Sequence, residues 1–176
     1  MLITVNKEML LKALGIADAV VPSKNINTIL SNCLFNVKNN SIEITATDNE
    51  IAVKTTIDAQ CDSNISFTTY GKKFINILRE LPDDDISLDI NESMVINLNS
   101  KNIKGKYTLY GTDSNDYPDL PEIKMENSVE IEQGILKEMI KKVIYAAATD
   151  TIKPVFNSIY IVSEKPGTLT VIATDS

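Results

Sequence analysis

SNCLFNVKNNSIEITATDNEIAVKTTID, residues 31–58, alternates apolar and polar side chains and breaks at clusters of Asn and Asp. A period of two marks half-buried strands, and Asn and Asp suit the turns between them. The spacing predicts short antiparallel strands at 31–37, 41–46 and 50–58. Working outward, further strands fall near 2–5, 64–69, 85–90, 94–98 and 102–110. Between them the period changes. Leu10, Leu11, Leu14, Ala17 and Val21 predict a helix over 7–21 with Asn6 as its N-cap, and Phe74, Ile77, Leu78 and Leu81 predict another over 71–81 that Pro82 stops. The order over the first 110 residues is strand, helix, three strands, then the same again.

A third apolar stripe, Ile135, Leu136, Met139, Ile140, Val143, Ile144 and Ala147, predicts an amphipathic helix over 133–148. A shift of 125 residues lays Leu11-Lys12-Ala13-Leu14 on Leu136-Lys137-Glu138-Met139, and Ser31 to Phe35 on Phe156 to Tyr160. A two-residue insertion then aligns Ala46-Thr47-Asp48 with Ala173-Thr174-Asp175. The chain reads as an α+β protein with one complete module and the beginning of a second. The polar, proline-bearing stretch from Asp113 to Pro121 reads as the linker between them.

The chain has 176 residues, 43% hydrophobic and 23% charged, enough for a sizeable core. No run approaches the roughly 18 apolar residues of a membrane span, and MLITVNKEML lacks the pattern of a secretory signal. The reading is a cytoplasmic protein with no membrane contact. Cys33 and Cys61 lack CxxC spacing and read as small core residues. Histidine is absent, which removes the commonest general base and metal ligand. No glycine-rich phosphate loop, nucleophile elbow or HExxH sequence is present. Asp83-Asp84-Asp85 and Asp48-Asn49-Glu50 read as turns before they read as a metal or carboxylate site.

Net charge is −7, which opposes nucleic-acid binding as a total but not as a distribution. The three helical segments carry 0, +2 and +2, which leaves −11 elsewhere. On a helical wheel Lys12, Lys72, Arg79 and Lys141 point away from the apolar stripes, and Lys73, Lys137 and Lys142 flank them. Taken alone these are ordinary solvated helix faces, although long cations so placed can also hold phosphates without reading bases.

Leu10-Leu11-Lys12, Ile29-Leu30-Ser31-Asn32, Thr45-Ala46-Thr47-Asp48, Lys72-Lys73-Phe74, Leu81-Pro82, Asp116-Tyr117-Pro118-Asp119-Leu120-Pro121 and Ile172-Ala173-Thr174-Asp175, in this order and spacing, resemble the β subunit of bacterial DNA polymerase III, the sliding clamp. The resemblance runs along the whole chain. It implies a DNA clamp fold with helices lining a channel and antiparallel sheets outside, three domains per subunit, and a head-to-tail homodimer closing a ring. Residues 1–122 would be domain one and 123–176 the first, truncated half of domain two. The implied function is non-catalytic, without metal or cofactor: a ring around duplex DNA that tethers the polymerase and is placed there by a clamp loader. A non-catalytic protein-binding module of repeated α+β type is the alternative.

The resemblance also implies site residues. Lys12, Lys24, Lys72, Arg79, Lys137 and Lys141 would contact DNA, with Asp150 where the family often has an uncharged contact. Lys73, Tyr107 and Leu109 would lie at the dimer interface. Phe156, Thr174 and Ser176 would belong to a pocket for client peptides, Ser176 replacing a usual glycine. A second module with only its first half would leave the apolar face from Ile135 to Ala147 uncovered. The expectation is a stable 1–122 and a 128–176 that is mobile or paired with another copy.

Overall fold

The hairpin at the centre of the quoted stretch turns on Asn39 and Asn40, whose φ values of 52° and 57° suit the two-residue turn that matches strand twist. The next turn uses Asp48, whose Oδ1 accepts from the main-chain N–H of Glu50 (2.9 Å) and Ile51 (2.7 Å), with Asn49 at φ 76°. These bonds favour the ionised form and lower the Asp48 pKa. Asp84 works similarly, accepting from the N–H of Asp85 and the amide of Asn102, both at 2.8 Å. Both acidic clusters therefore build turns; Asp83 lies outside the described residues.

The computed structural model describes residues 1–22, 28–82, 84–100, 102, 105–120, 128–149, 153–165 and 167–176. They divide into two units, Met1–Pro121 and Glu122–Ser176. The first half of the first unit runs β1 (Leu2–Asn6), α1 (Lys7–Asp18), β2 (Asn32–Lys38), β3 (Ser41–Thr47), β4 (Ala52–Asp58) and a two-residue β5 (Gln60–Cys61). The second runs β6 (Ile65–Tyr70), α2 (Gly71–Glu80), β7 (Asp85–Ile90), β8 (Val95–Ser100) and β9 (Tyr107–Asp113).

All pairings are antiparallel, in the order β4-β3-β2-β6-β9-β8-β7-β1-β5. The halves exchange their first strands. β1 lies beside β7 of the second half, from Leu2↔Asp89 to Asn6↔Asp85. β6 lies beside β2 of the first half, from Asn32↔Tyr70 to Val37↔Ile65. Each half's final segment then returns to its own first strand, β5 to β1 and the end of β9 to β6. This is an internal two-fold in which neither half can complete its sheet alone.

Alternate residues point inward and meet the helix stripes. Phe35 and Phe67, paired across β2 and β6, stack at 4.9 Å, and Phe74 of α2 closes on Phe35 at 5.8 Å. Leu10, Ala13, Leu14 and Ala17 of α1 and Phe74, Ile75 and Leu78 of α2 are all buried. Each large side chain of this kind contributes about 1.5–3 kcal/mol by leaving water. Gly71 opens α2 because a Cβ there would lie 2.8 Å from the Cys33 sulfur. Burial pushes the Cys33 thiol up to about 12, so it stays neutral and packs as a small apolar group.

Several bounds differ from those the sequence predicts. α1 stops at Asp18 instead of 21, because Val20, Val21 and Pro22 disfavour helix in succession. β9 covers 107–113 instead of 102–110, since Gly111 continues the strand rather than ending it. The expected linker starts as part of the first unit. Asp113 caps a turn at Ser114–Asp116, and Tyr117 is buried with its OH donating to the Asn32 carbonyl at 3.3 Å.

In the second unit α3 (Gln133–Val143) ends in a tighter turn at Ile144–Ala146, short of the predicted 148. β10 (Tyr160–Lys165) and β11 (Thr168–Ile172) form a hairpin with Gly167 at φ 75°. No described residue of α3 is buried.

Candidate nucleic-acid interface

The stripe that buries Leu10, Ala13, Leu14 and Ala17 leaves Glu8, Met9, Lys12 and Ile16 of α1 exposed. In α2 the stripe through Phe74 and Leu78 leaves Lys73, Asn76, Arg79 and Glu80 exposed and Lys72 half-buried. α1 packs directly against α2, and each helix carries cations on the face it does not bury. None of Lys12, Lys72 and Arg79 has a carboxylate within salt-bridge distance among the described residues. Their charge is thus not neutralised in place, and three long side chains stand ready for an anion.

Sequence reasoning missed Lys7. It is the only charged side chain buried among the described residues, and its Nζ donates to the Leu81 carbonyl at 2.5 Å. A signal was present, since Lys7 lies on the wheel position shared by Leu10, Leu14 and Ala17.

In the second unit Lys137 and Lys141 are exposed on α3, while Lys142 pairs with Glu138 at 3.5 Å. Lys24 and Asp150 lie outside the described residues.

The expected interface residues separate. Lys73 is exposed and Tyr107 half-buried, but Leu109 is only 1% exposed and belongs to the core. Leu109 is therefore corrected from an interface side chain to a packing one. Alternation places Tyr107 and Leu109 on the same face and cannot say which face looks inward. Tyr110, 72% exposed, is the aromatic that faces out.

The backbone there is more informative. Gly111 N–H donates to the Met94 carbonyl at 2.8 Å. By the alternation of an antiparallel ladder, Leu109 and Tyr107 spend their main-chain groups on β8, and Thr108 and Tyr110 turn theirs the other way. Thr69 Oγ1 takes the Tyr110 carbonyl at 3.0 Å. β9 pairs with β6 only from Gly111 onward. Residues 107–109 therefore have no ladder partner on the β6 side among the described residues and form an open edge.

Thr174 Oγ1 donates to the Ser176 carbonyl at 2.9 Å and accepts from the Ser176 N–H at 3.3 Å. Phe156 sits in a separate turn at Pro154–Asn157, where Lys153 Nζ lies 5.9 Å from its ring centroid. No hydrogen bond or ring contact joins Phe156 to Thr174 or Ser176 among the described residues.

The family model for the DNA polymerase III beta subunit, N-terminal domain, matches residues 1–121. The beta sliding clamp of Streptococcus pneumoniae is 29% identical over 180 residues, covering 98% of this chain and 47% of that one. The crystal structure of the beta subunit from DNA polymerase of Streptococcus pyogenes is similar, with TM-score 0.91, 26% identity, and coverage of 99% of this chain and 47% of its own. The Helicobacter pylori beta clamp bound to a DNA ligase peptide gives TM-score 0.88 at 27% identity, with coverage of 100% and 49%. The chain thus spans about half the length of the relatives it matches. No helix among the described residues is long and apolar enough to cross a membrane.

Proposed function

We propose a function from one premise: the chain belongs to the family of the DNA polymerase III beta subunit. It is the N-terminal part of a sliding clamp. Residues 1–122 are the first domain and residues 123–176 the opening half of the second. The full subunit joins a second copy head to tail, the closed ring surrounds duplex DNA in the cytoplasm, and processivity comes from enclosure. No bond is made or broken, and no cofactor is needed. The polymerase and a clamp loader are its protein partners. Peptides such as the ligase segment on the Helicobacter pylori clamp are the client class for a pocket that includes Phe156, Thr174 and Ser176.

The observation that carries this reading is the pair of adjoining helices on which Lys12, Lys72 and Arg79 have no ion-pair partner among the described residues, in a chain of net charge −7. Lys24 in the first unit and Lys137 and Lys141 in the second complete the cation set. Contacts of this kind hold phosphates without specifying sequence, so a shift along the duplex exchanges equivalent contacts at little cost. At the subunit interface Lys73 and the open edge of β9 meet the partner, with Tyr107 and Tyr110 flanking it.

Retention on circular DNA tests the proposal. The full subunit, loaded on a closed duplex circle, stays until the circle is cut, and binds short linear duplex weakly with steep salt dependence. Tight, salt-insensitive, sequence-specific binding to short linear duplex overturns it.

A further inference from the structure

Lys7 is 7% exposed, and its ammonium reaches the carbonyl of Leu81, the residue that closes α2. Its main-chain N–H donates to the Asp84 carbonyl at 3.3 Å. Asn6, next to it, pairs with Asp85 across β1 and β7 and caps α1 by accepting from Met9 N–H at 3.1 Å. Two successive residues thus tie the start of α1 to the chain that leaves α2.

The charge is misplaced for α1 itself. A cation in the first turn opposes the positive end of the helix dipole, and an apolar residue would fill the same stripe position without dehydrating an ammonium. At the end of α2 the balance reverses, because the same cation meets the negative end of that dipole and a carbonyl with no partner inside the helix. The side chain is held by α1 and used by α2. A buried charge-assisted bond of fixed length between two packed helices sets their registration, which apolar contacts alone define loosely.

We propose that Lys7 is a positioning residue for the phosphate-binding surface: it fixes α1 against α2, and so fixes Lys12 against Lys72 and Arg79. The proposal rests on the reading that these helices face DNA. Lys7 cannot touch a phosphate itself, since its amine is buried at Leu81.

The test uses the 176-residue chain with Lys7→Met, Lys7→Gln and Lys7→Arg. Residual dipolar couplings of backbone amides report the angle between α1 and α2. Fluorescence anisotropy with labelled duplex, well below the unfolding transition, reports affinity and its salt slope. Lys7→Met is expected to change the couplings of one helix relative to the other, lower duplex affinity severalfold and flatten the salt slope, while Lys7→Arg restores both. Lys7→Gln, which keeps a donor without charge, replaces the Met variant if that one does not fold. Wild-type couplings in the folded Met or Gln variant overturn the proposal. So does altered geometry with wild-type affinity. A Lys12→Glu/Lys72→Glu/Arg79→Glu variant separates the two readings: unchanged duplex binding there refutes the DNA-facing surface, while the couplings still decide whether Lys7 sets the helix angle.

Discussion

Met94 sits at φ 57°, a left-handed conformation that typically costs a residue with a side chain about 1–3 kcal/mol. Its neighbours impose it. The Asn91 side chain accepts from the N–H of Ser93 (3.0 Å) and Val95 (2.9 Å), and Gly111 donates to the Met94 carbonyl. Met94→Gly is expected to raise stability by about 1 kcal/mol, less the lost contact of its half-buried side chain, which thermal unfolding will show. A fall in stability would mean the side-chain packing outweighs the strain. Nothing in the sequence marks this residue, since methionine is not a turn former. Tyr117 reads as linker for the converse reason: its proline-rich setting suggests exposure, and only the tertiary site beside Asn32 reveals burial. Burial pushes its phenol from 10 to about 12. A folded value above the unfolded one gives stabilisation that is complete below pH 10 and is lost as pH rises toward 12. In an ultraviolet titration of the folded protein one of the six tyrosines should ionise above the ordinary phenol range. Six simple, superimposed titrations near the ordinary value would refute that.

At the scale of elements, period and turn chemistry made most of the first unit legible. The helices and the strands β1 to β4 and β6 to β8 fall where alternation and caps put them, within a few residues, while the two-residue β5 is too short to leave a pattern. What sequence could not give was partnership. The exchange of first strands between halves depends on which sheet edge is free when the core closes, and no local pattern records that. The same gap explains Leu109, whose face was ambiguous until β8 and β6 were in place. Thr108 now carries the sharper expectation, because its main-chain N–H points to the open side of β9. Proline is tolerated at such an edge position. Thr108→Pro should leave the first unit folded, at the loss of the Thr108–Asn97 side-chain bond of 3.2 Å, and weaken dimerisation of the full subunit. Sedimentation at falling concentration reads the change, and an unchanged dimer would show that the edge makes no intersubunit ladder.

For the whole molecule, the contrast between units is one of burial. Every residue of the hydrophobic core cluster lies in the first unit, whereas α3 exposes Ile135 and contains no buried side chain. Local opening is easier where few apolar contacts must break. Hydrogen exchange is therefore expected to be fast in α3 and slowest in β2, β6 and the buried face of α2. Equal protection in all three helices would contradict the burial pattern.

The exchange of first strands also sets a timetable for synthesis. Leu2–Asn6 leaves the ribosome well before its long ladder partner Asp85–Ile90, which comes some eighty residues later. At translation rates of about 5–20 residues per second the strand waits roughly 4–16 s with only β5 to meet it in between. During that interval Ile3 and Val5, fully covered in the finished fold, are exposed on a nascent chain. β1 is thus made long before it is secured, and a chaperone acting on this protein would have its main opportunity before β7 leaves the exit tunnel.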